Sequence, residues 1–385
     1  MSVVATSIYL DTHHISRAAD GLNRIPDLLG DKRYRFVFSA SHVVESLPKG
    51  AAENHSAVKR LSLIVQPCNT SVVGWGNVSE NELRYGCCHL EDIVCSQQDM
   101  LFPGFVFDRT TWTAKVRQGL KAVLLERVPD ENFRRSILSK LIKRGRLTPE
   151  AIQLLRIRQD ETSAQLQREM PQAVPLLNEL YRFLEGSISD KLFLDRFKET
   201  LANPIALAHL SQNPELSSIL EFSKFFWAYN DRLAKLLREL AVKLVKVQCS
   251  GIGLEYAQIR RNLVGHLNSA EFRSLVAKQF AGVEVSSERL CRMPGTKVFV
   301  DVFSLFVLEK MDRFANDRSA DFGGALQLKR SDAADLSHLF YFPYVNLFGC
   351  DGAMRDRIRK AGWSTKNVFT TDVELERLLR ADNEV

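Results

Sequence analysis

The sequence predicts an α/β protein: a parallel sheet flanked by helices, interrupted by a long, mostly α-helical insertion. Two observations carry that prediction. Short apolar runs that end on an acidic residue alternate with helical periodicity at both ends of the chain, the pattern of a parallel sheet. Between about Thr110 and Gln279 the strand-like runs give way to helix formers at helical spacing. At 385 residues the chain exceeds one average core, so two structural units are expected. We expect them as residues 1–105 and 291–385 forming one α/β domain, with 106–290 inserted.

The first element is Ser7-Ile-Tyr-Leu10, a buried strand ending at Asp11. A helix or loop opens at Asp11-Thr-His-His-Ile-Ser16. Tyr34-Arg-Phe-Val-Phe38 is aromatic and β-branched, a second strand. Ser39 or Ser41 can cap the helix that follows, which carries His42 and Glu45 and ends by Pro48 and Gly50. Ala51 to Val65 reads as another helix. Cys68 to Phe107 has no assignable pattern. Lys297-Val-Phe-Val300 reads as a strand or as the start of a helix running to Phe314. Ser331 is placed to cap a helix with Asp332, Asp335 and His338. Tyr344-Val-Asn-Leu-Phe-Gly-Cys350 is an apolar strand ending at Asp351, followed by a charged helix from Gly352 to Lys360. Asn367 to Thr370 is a last strand, and Asp372 to Arg380 a last helix.

Composition narrows the class. Hydrophobic residues make up 45% and charged residues 25%, ordinary for a globular domain. Met1 to Leu10 has neither a basic leader nor a long apolar run, and no stretch has the roughly 18 apolar residues of a membrane span. Seven cysteines, an odd number, argue against a disulfide framework. These features point to a cytoplasmic protein. Net charge is +6, while Thr111 to Asp160 alone holds twelve Lys and Arg against five Asp and Glu. A local basic excess attracts a polyanion, although a solvated helical face has the same composition. Within it, Lys140, Lys143 and Arg144 are candidate backbone contacts for a nucleic acid.

The chemistry-bearing pattern is acidic. In open parallel sheets ligands bind beyond the carboxyl ends of strands, where Asp11 and Asp351 fall. Glu45, Asp332 and Asp335 lie near the starts of helices. Hard divalent cations such as Mg²⁺ or Mn²⁺ take oxygen ligands of this kind, and clustered carboxylates repel one another without a cation. Each acid taken singly has an ordinary alternative as a helix cap. Cys87-Cys88-His89 with Cys95 lacks the Cys-x₂-Cys spacing of a zinc site and reads as plain thiols. Phe225-Phe-Trp-Ala-Tyr229 reads as core before it reads as a base-stacking platform.

Three segments together resemble the PIN-like nuclease family: Ile8-Tyr-Leu-Asp11-Thr12; Phe38-Ser-Ala-Ser-His-Val-Val-Glu45; and Ser331-Asp-Ala-Ala-Asp-Leu-Ser-His-Leu-Phe-Tyr-Phe-Pro-Tyr344 running on to Asp351. The resemblance covers roughly the first 65 and last 60 residues. It implies a three-layer parallel sheet with helices on both faces. It implies a site of Asp11, Glu45, Asp332 or Asp335, and Asp351 that binds Mg²⁺ or Mn²⁺ and hydrolyses RNA or DNA, with RNA favoured. Thr12 would stand beside the first acid. His338, Arg355 and Arg357 are candidate substrate contacts, His338 alternatively a brace for the crevice. Related sequences often carry an acid where this chain has Asn346. Two other readings stay open: a noncatalytic nucleic-acid or protein binding module, and a toxin or defence nuclease held by a partner. The insertion would offer the partner surface, and a homo-oligomer is possible on the same terms.

Overall fold

The chain is described from a computed structural model, which covers residues 5–48, 50–86, 89–102, 129–143, 146–151, 174–212, 221–249, 256–316 and 330–382, with short pieces between 109 and 168. Chain contacts gather it into two units: Met1–Pro103 with Leu220–Val385, and Gly104–Ile219.

The first unit is built on a six-stranded, mostly parallel sheet. Its strands are β1 (Thr6–Tyr9), β2 (Tyr34–Phe38), β3 (Thr70–Val72), β4 (Val94–Cys95), β7 (Leu347–Gly349) and β8 (Val368–Phe369), in the order β4-β3-β2-β1-β7-β8. β4 alone runs antiparallel to its neighbour. β1 lies in the middle, pairing Ile8 with Phe36 of β2 and with Leu347 of β7. Ile8, Tyr9, Leu347 and Phe348 are buried on both faces of the sheet, which explains continuous apolar runs in place of alternation. From β1 the chain steps one way to β2 and β3, and from β7 the other way to β8. The strand order therefore reverses between β1 and β7, and a crevice opens beyond their carboxyl ends.

The connecting helices are α1 (Thr12–Ala19), α2 (Ala40–Ser46), α3 (Asn54–Ile64), α4 (Trp75–Tyr85), α5 (Glu221–Cys249), α6 (Pro294–Asn316), α7 (Arg330–His338), α8 (Gly352–Lys360) and α9 (Asp372–Asp382). One open alternative is decided here and one expectation corrected. Lys297 to Val300 belongs to α6 and is not a strand. Val298, Phe299, Val300, Val302, Phe303, Phe306 and Val307 are all buried, so the helix is covered nearly all round and its period is masked. Ser331 lies inside α7 and does not precede it.

The helical insertion is also shorter than expected. The second unit ends at Ile219, and α5 packs within the first: Tyr229, Leu233, Leu237, Leu240 and Ala241, spaced three to four apart, share one core with Tyr9, Val72 and Phe348. Tyr229 packs against Trp75, Phe280 and Phe299, the core role read for it, while the side chains of Phe225, Phe226 and Trp227 lie outside the described residues. Within the second unit, helices Val174–Glu185 and Asp190–Leu201 bring Phe183 onto Phe193, and Ile142–Lys143 (β5) pairs with Arg146–Leu147 (β6). Among the described residues, no helix is long and apolar enough to cross a membrane.

Candidate functional site

Asp11 and Asp351 follow β1 and β7, neighbours in the sheet, and each is the N-cap of the next helix. Asp11 Oδ1 accepts from the His14 amide at 3.0 Å, and Asp351 Oδ1 from the Met354 amide at 2.6 Å. A capping carboxylate uses one oxygen for the backbone and retains lone pairs for a ligand, so the cap and the site are one arrangement. Asp335 comes from α7. Asp11, Asp335 and Asp351 line a single crevice with His338, Gly349, Cys350 and Met354, and its cavity volume is about 10 Å³. That is the volume of one water or one ion.

Burial pushes the Asp335 carboxyl up to about 8, helped by the nearby negative charges of Glu45, Asp351 and Asp11 against the opposing pull of His338. Burial also raises the Cys350 thiol well above its usual range, as do Asp11 and Asp351. The crevice is thus rich in like charge and poor in water. Its three carboxylates supply hard oxygens, the chemistry that suits Mg²⁺ or Mn²⁺. Among the described residues, no three His, Cys, Asp or Glu are grouped so as to hold a metal ion as they stand, so binding would have to draw the carboxylates inward.

Glu45 reaches the same place from α2. Its Oε2 accepts from Thr12 Oγ1 and, at 2.8 Å, from His338 Nε2. Thr12 therefore serves the glutamate, beside the first acid as expected. His338 is 3% exposed. It braces the crevice and presents no free face to a substrate. Burial works against its charged form, but Glu45, Asp335 and Asp11 outweigh that and raise its pKa. His14, also buried, packs on Phe369 with Nδ1 3.5 Å from Asp372 and Nε2 3.9 Å from Asp11.

No family model, curated protein or solved structure matches the chain.

The two α7 acids part company. Asp332 is drawn to Lys310 of α6 at 2.9 Å, an ion pair with both side chains at most 14% exposed, whereas Asp335 joins the crevice. Spacing alone put both on one face; a packed cation on α6 separates them. Arg355 donates to Glu374 at 2.8 Å. Arg357 donates to Glu309 at 2.8 Å and lies over the Phe306 ring, which makes it a packing residue. Lys140 and Lys143 are exposed in the second unit, and Arg144 lies outside the described residues, as do Cys87 and Cys88. Asn346 stands before β7, at the end away from the crevice. Its Oδ1 accepts from the Ser7 amide at 2.9 Å and Ser7 Oγ at 2.7 Å, tying the starts of β1 and β7 together. Its lack of charge has no bearing on the crevice.

Sequence reasoning placed Tyr9 in the first strand and Ser39 at a helix start, and gave neither a part in the site. Tyr9 Oη lies 2.7 Å from His338 Nδ1 and 3.0 Å from Ser39 Oγ. Tyr9 and His338 are 329 residues apart, and no local spacing signals such a pair.

Proposed function

We propose that this chain is a metal-dependent nuclease of PIN-like type that hydrolyses phosphodiester bonds of RNA or DNA. The observation that carries this reading is the convergence of Asp11, Asp335 and Asp351 on one ion-sized crevice, with Glu45 anchored at its side. The strand-end placement of two of the acids, at the point where the strand order reverses, adds support.

Asp11, Glu45, Asp335 and Asp351 would hold Mg²⁺ or Mn²⁺. Such an ion lowers the pKa of an attached water and neutralises charge on the phosphate. The protein's own contributions are separate. Asp11 and Asp351 each spend one oxygen on a capping bond and keep the other for a ligand. Glu45 is held on Oε2 by two donors, leaving Oε1 for the crevice. Burial first, and the nearby acids after it, favour the protonated form of Asp335. The buried walls of Phe348, Cys350 and Met354 limit water there.

The test is cleavage of labelled single-stranded RNA and DNA with Mn²⁺ or Mg²⁺, beside EDTA and an Asp11→Asn variant. Cutting that requires both the metal and Asp11 is expected. Cutting that survives chelation, or survives Asp11→Asn at the parental rate, would overturn the proposal. Binding of nucleic acid unaffected by chelator, with no cutting, would point to the binding module.

A further inference from the structure

A chain of buried hydrogen bonds runs from the sheet interior to Glu45, and the neutral form of His338 gives it one set of directions. The Glu45 carboxylate can only accept, so His338 Nε2 carries the proton between them. In the neutral imidazole Nδ1 is then a lone pair, and Tyr9 Oη, 2.7 Å away, donates to it. Tyr9 Oη in turn accepts from Ser39 Oγ at 3.0 Å. Tyr9 and Ser39 are fully buried and His338 nearly so. Tyr9 cannot swing out of this line, because its ring stacks on Phe348 at 5.4 Å and on Tyr341 at 5.2 Å. His42 reinforces the same segment. Its Nδ1 accepts from the Ser39 amide at 2.9 Å, and its Nε2–H donates at 2.5 Å to the carbonyl of Leu10, the residue before Asp11.

An aliphatic residue would fill the place of His338 more cheaply, since a buried imidazole must find partners for both nitrogens. What the imidazole adds is direction. It grips Oε2 of Glu45 from the interior side, together with Thr12, and leaves Oε1 outside the pairing. A free glutamate would lose rotamer entropy on being ordered by a ligand. Here the protein has already ordered it.

We propose that Tyr9 and His338 are positioning residues for Glu45: the Tyr9 hydroxyl fixes the His338 tautomer, and His338 fixes the rotamer from which Glu45 offers Oε1 to a divalent cation. The proposal rests on the metal-site reading above, and its test separates the two.

The measurement is calorimetric titration of Mn²⁺ into the full chain at one pH, for the parent, Tyr9→Phe, His338→Ala, His338→Gln and Asp11→Asn. Phe keeps the stacked ring and removes one oxygen, so Tyr9→Phe stays folded, and circular dichroism melts run in parallel confirm it at the titration temperature. Loss of an outer partner of a metal ligand weakens binding about 10-fold to 100-fold. We expect Tyr9→Phe to weaken Mn²⁺ binding about 10-fold and His338→Ala more. His338→Gln, which keeps an N–H for Glu45, recovers part of the loss. A merely structural role would move the melting midpoints and leave the Mn²⁺ affinity at the parental value. Parental affinity in Tyr9→Phe and His338→Ala, with binding lost in Asp11→Asn, overturns this proposal and leaves the metal site standing. No Mn²⁺ binding by the parent overturns both.

Discussion

Two buried carboxylate sites in the same unit have opposite surroundings. At one end of the sheet, Glu82 of α4 is 3% exposed and surrounded by donors: the Gly295 amide at 2.5 Å, the Thr296 amide at 3.1 Å, Thr296 Oγ1 at 2.5 Å and Tyr344 Oη at 2.5 Å. It closes the amino end of α6 and ties it to the turn before β7. In the strand-end crevice, with Glu45 at its side, Asp335 has the carboxylates of Glu45, Asp351 and Asp11 as charged neighbours, opposed by His338. Burial raises the pKa of Glu82, while its four donors pull the other way. Burial raises that of Asp335 too, and there the neighbouring acids add to it. Glu82, which serves the fold, is given donors, whereas Asp335 is given company of its own sign.

The largest expected effect is on the crevice. Asp11→Asn removes one charge but retains an amide that caps helices as well as aspartate does. Cleavage should fall by about 10³-fold or more with the melting midpoint little changed, read by initial rates and thermal melts. A large drop in the melting midpoint would mean that Asp11 serves the fold as Glu82 does.

Glu82→Ala should do the reverse. It strands four buried donors and should cost about 3 kcal/mol or more, measured by urea unfolding. An unchanged midpoint would remove Glu82 from the comparison.

Asp335→Asn sharpens the contrast through its sign. Above about pH 8, where Asp335 is charged, removing that charge from the cluster should raise the melting midpoint in metal-free buffer by a few degrees, and Mn²⁺-induced stabilisation should be lost. A fall in the metal-free midpoint would show that Asp335 is stabilising as an anion.

The smallest effect is at Glu374. The amide of Thr370 and the Arg355 guanidinium hold its carboxyl down at about 2. Its folded pKa is depressed, so its contribution to stability is present above the ordinary glutamate value and is lost as pH falls through about 2. The gap in unfolding midpoint between the parent and Glu374→Gln should be open at pH 7 and closed near pH 2. Glu82, with a raised pKa, runs oppositely: its contribution weakens as pH rises through the ordinary glutamate value.

Much of this architecture was legible in the sequence because it is local. Tyr34–Phe38 and Gly352–Lys360 have the expected bounds, since aromatic β-branched runs and charged amphipathic turns announce themselves within a few residues. β3 and β4, of three and two residues, are too short to carry a pattern. α6 was ambiguous because a helix buried on every side loses its period, and α5 looked like part of an independent insertion because its apolar stripe does not say which core it joins. At the site, strand ends marked Asp11 and Asp351. The choice between Asp332 and Asp335 depended on Lys310, and the support for Glu45 on Tyr9, contacts that exist only after the fold closes.

The position of β1 has a consequence in time. Its partner β7 is encoded 339 residues after it, by the separation of Ser7 and Asn346. Ribosomes add about 5–20 residues per second, so β1 emerges tens of seconds before β7. Through that interval one edge of β1 is unpaired, and the crevice lacks two of its three aspartates. A nascent chain is therefore without its assembled crevice until synthesis has passed Asp351, and the order of the strands works as a delay.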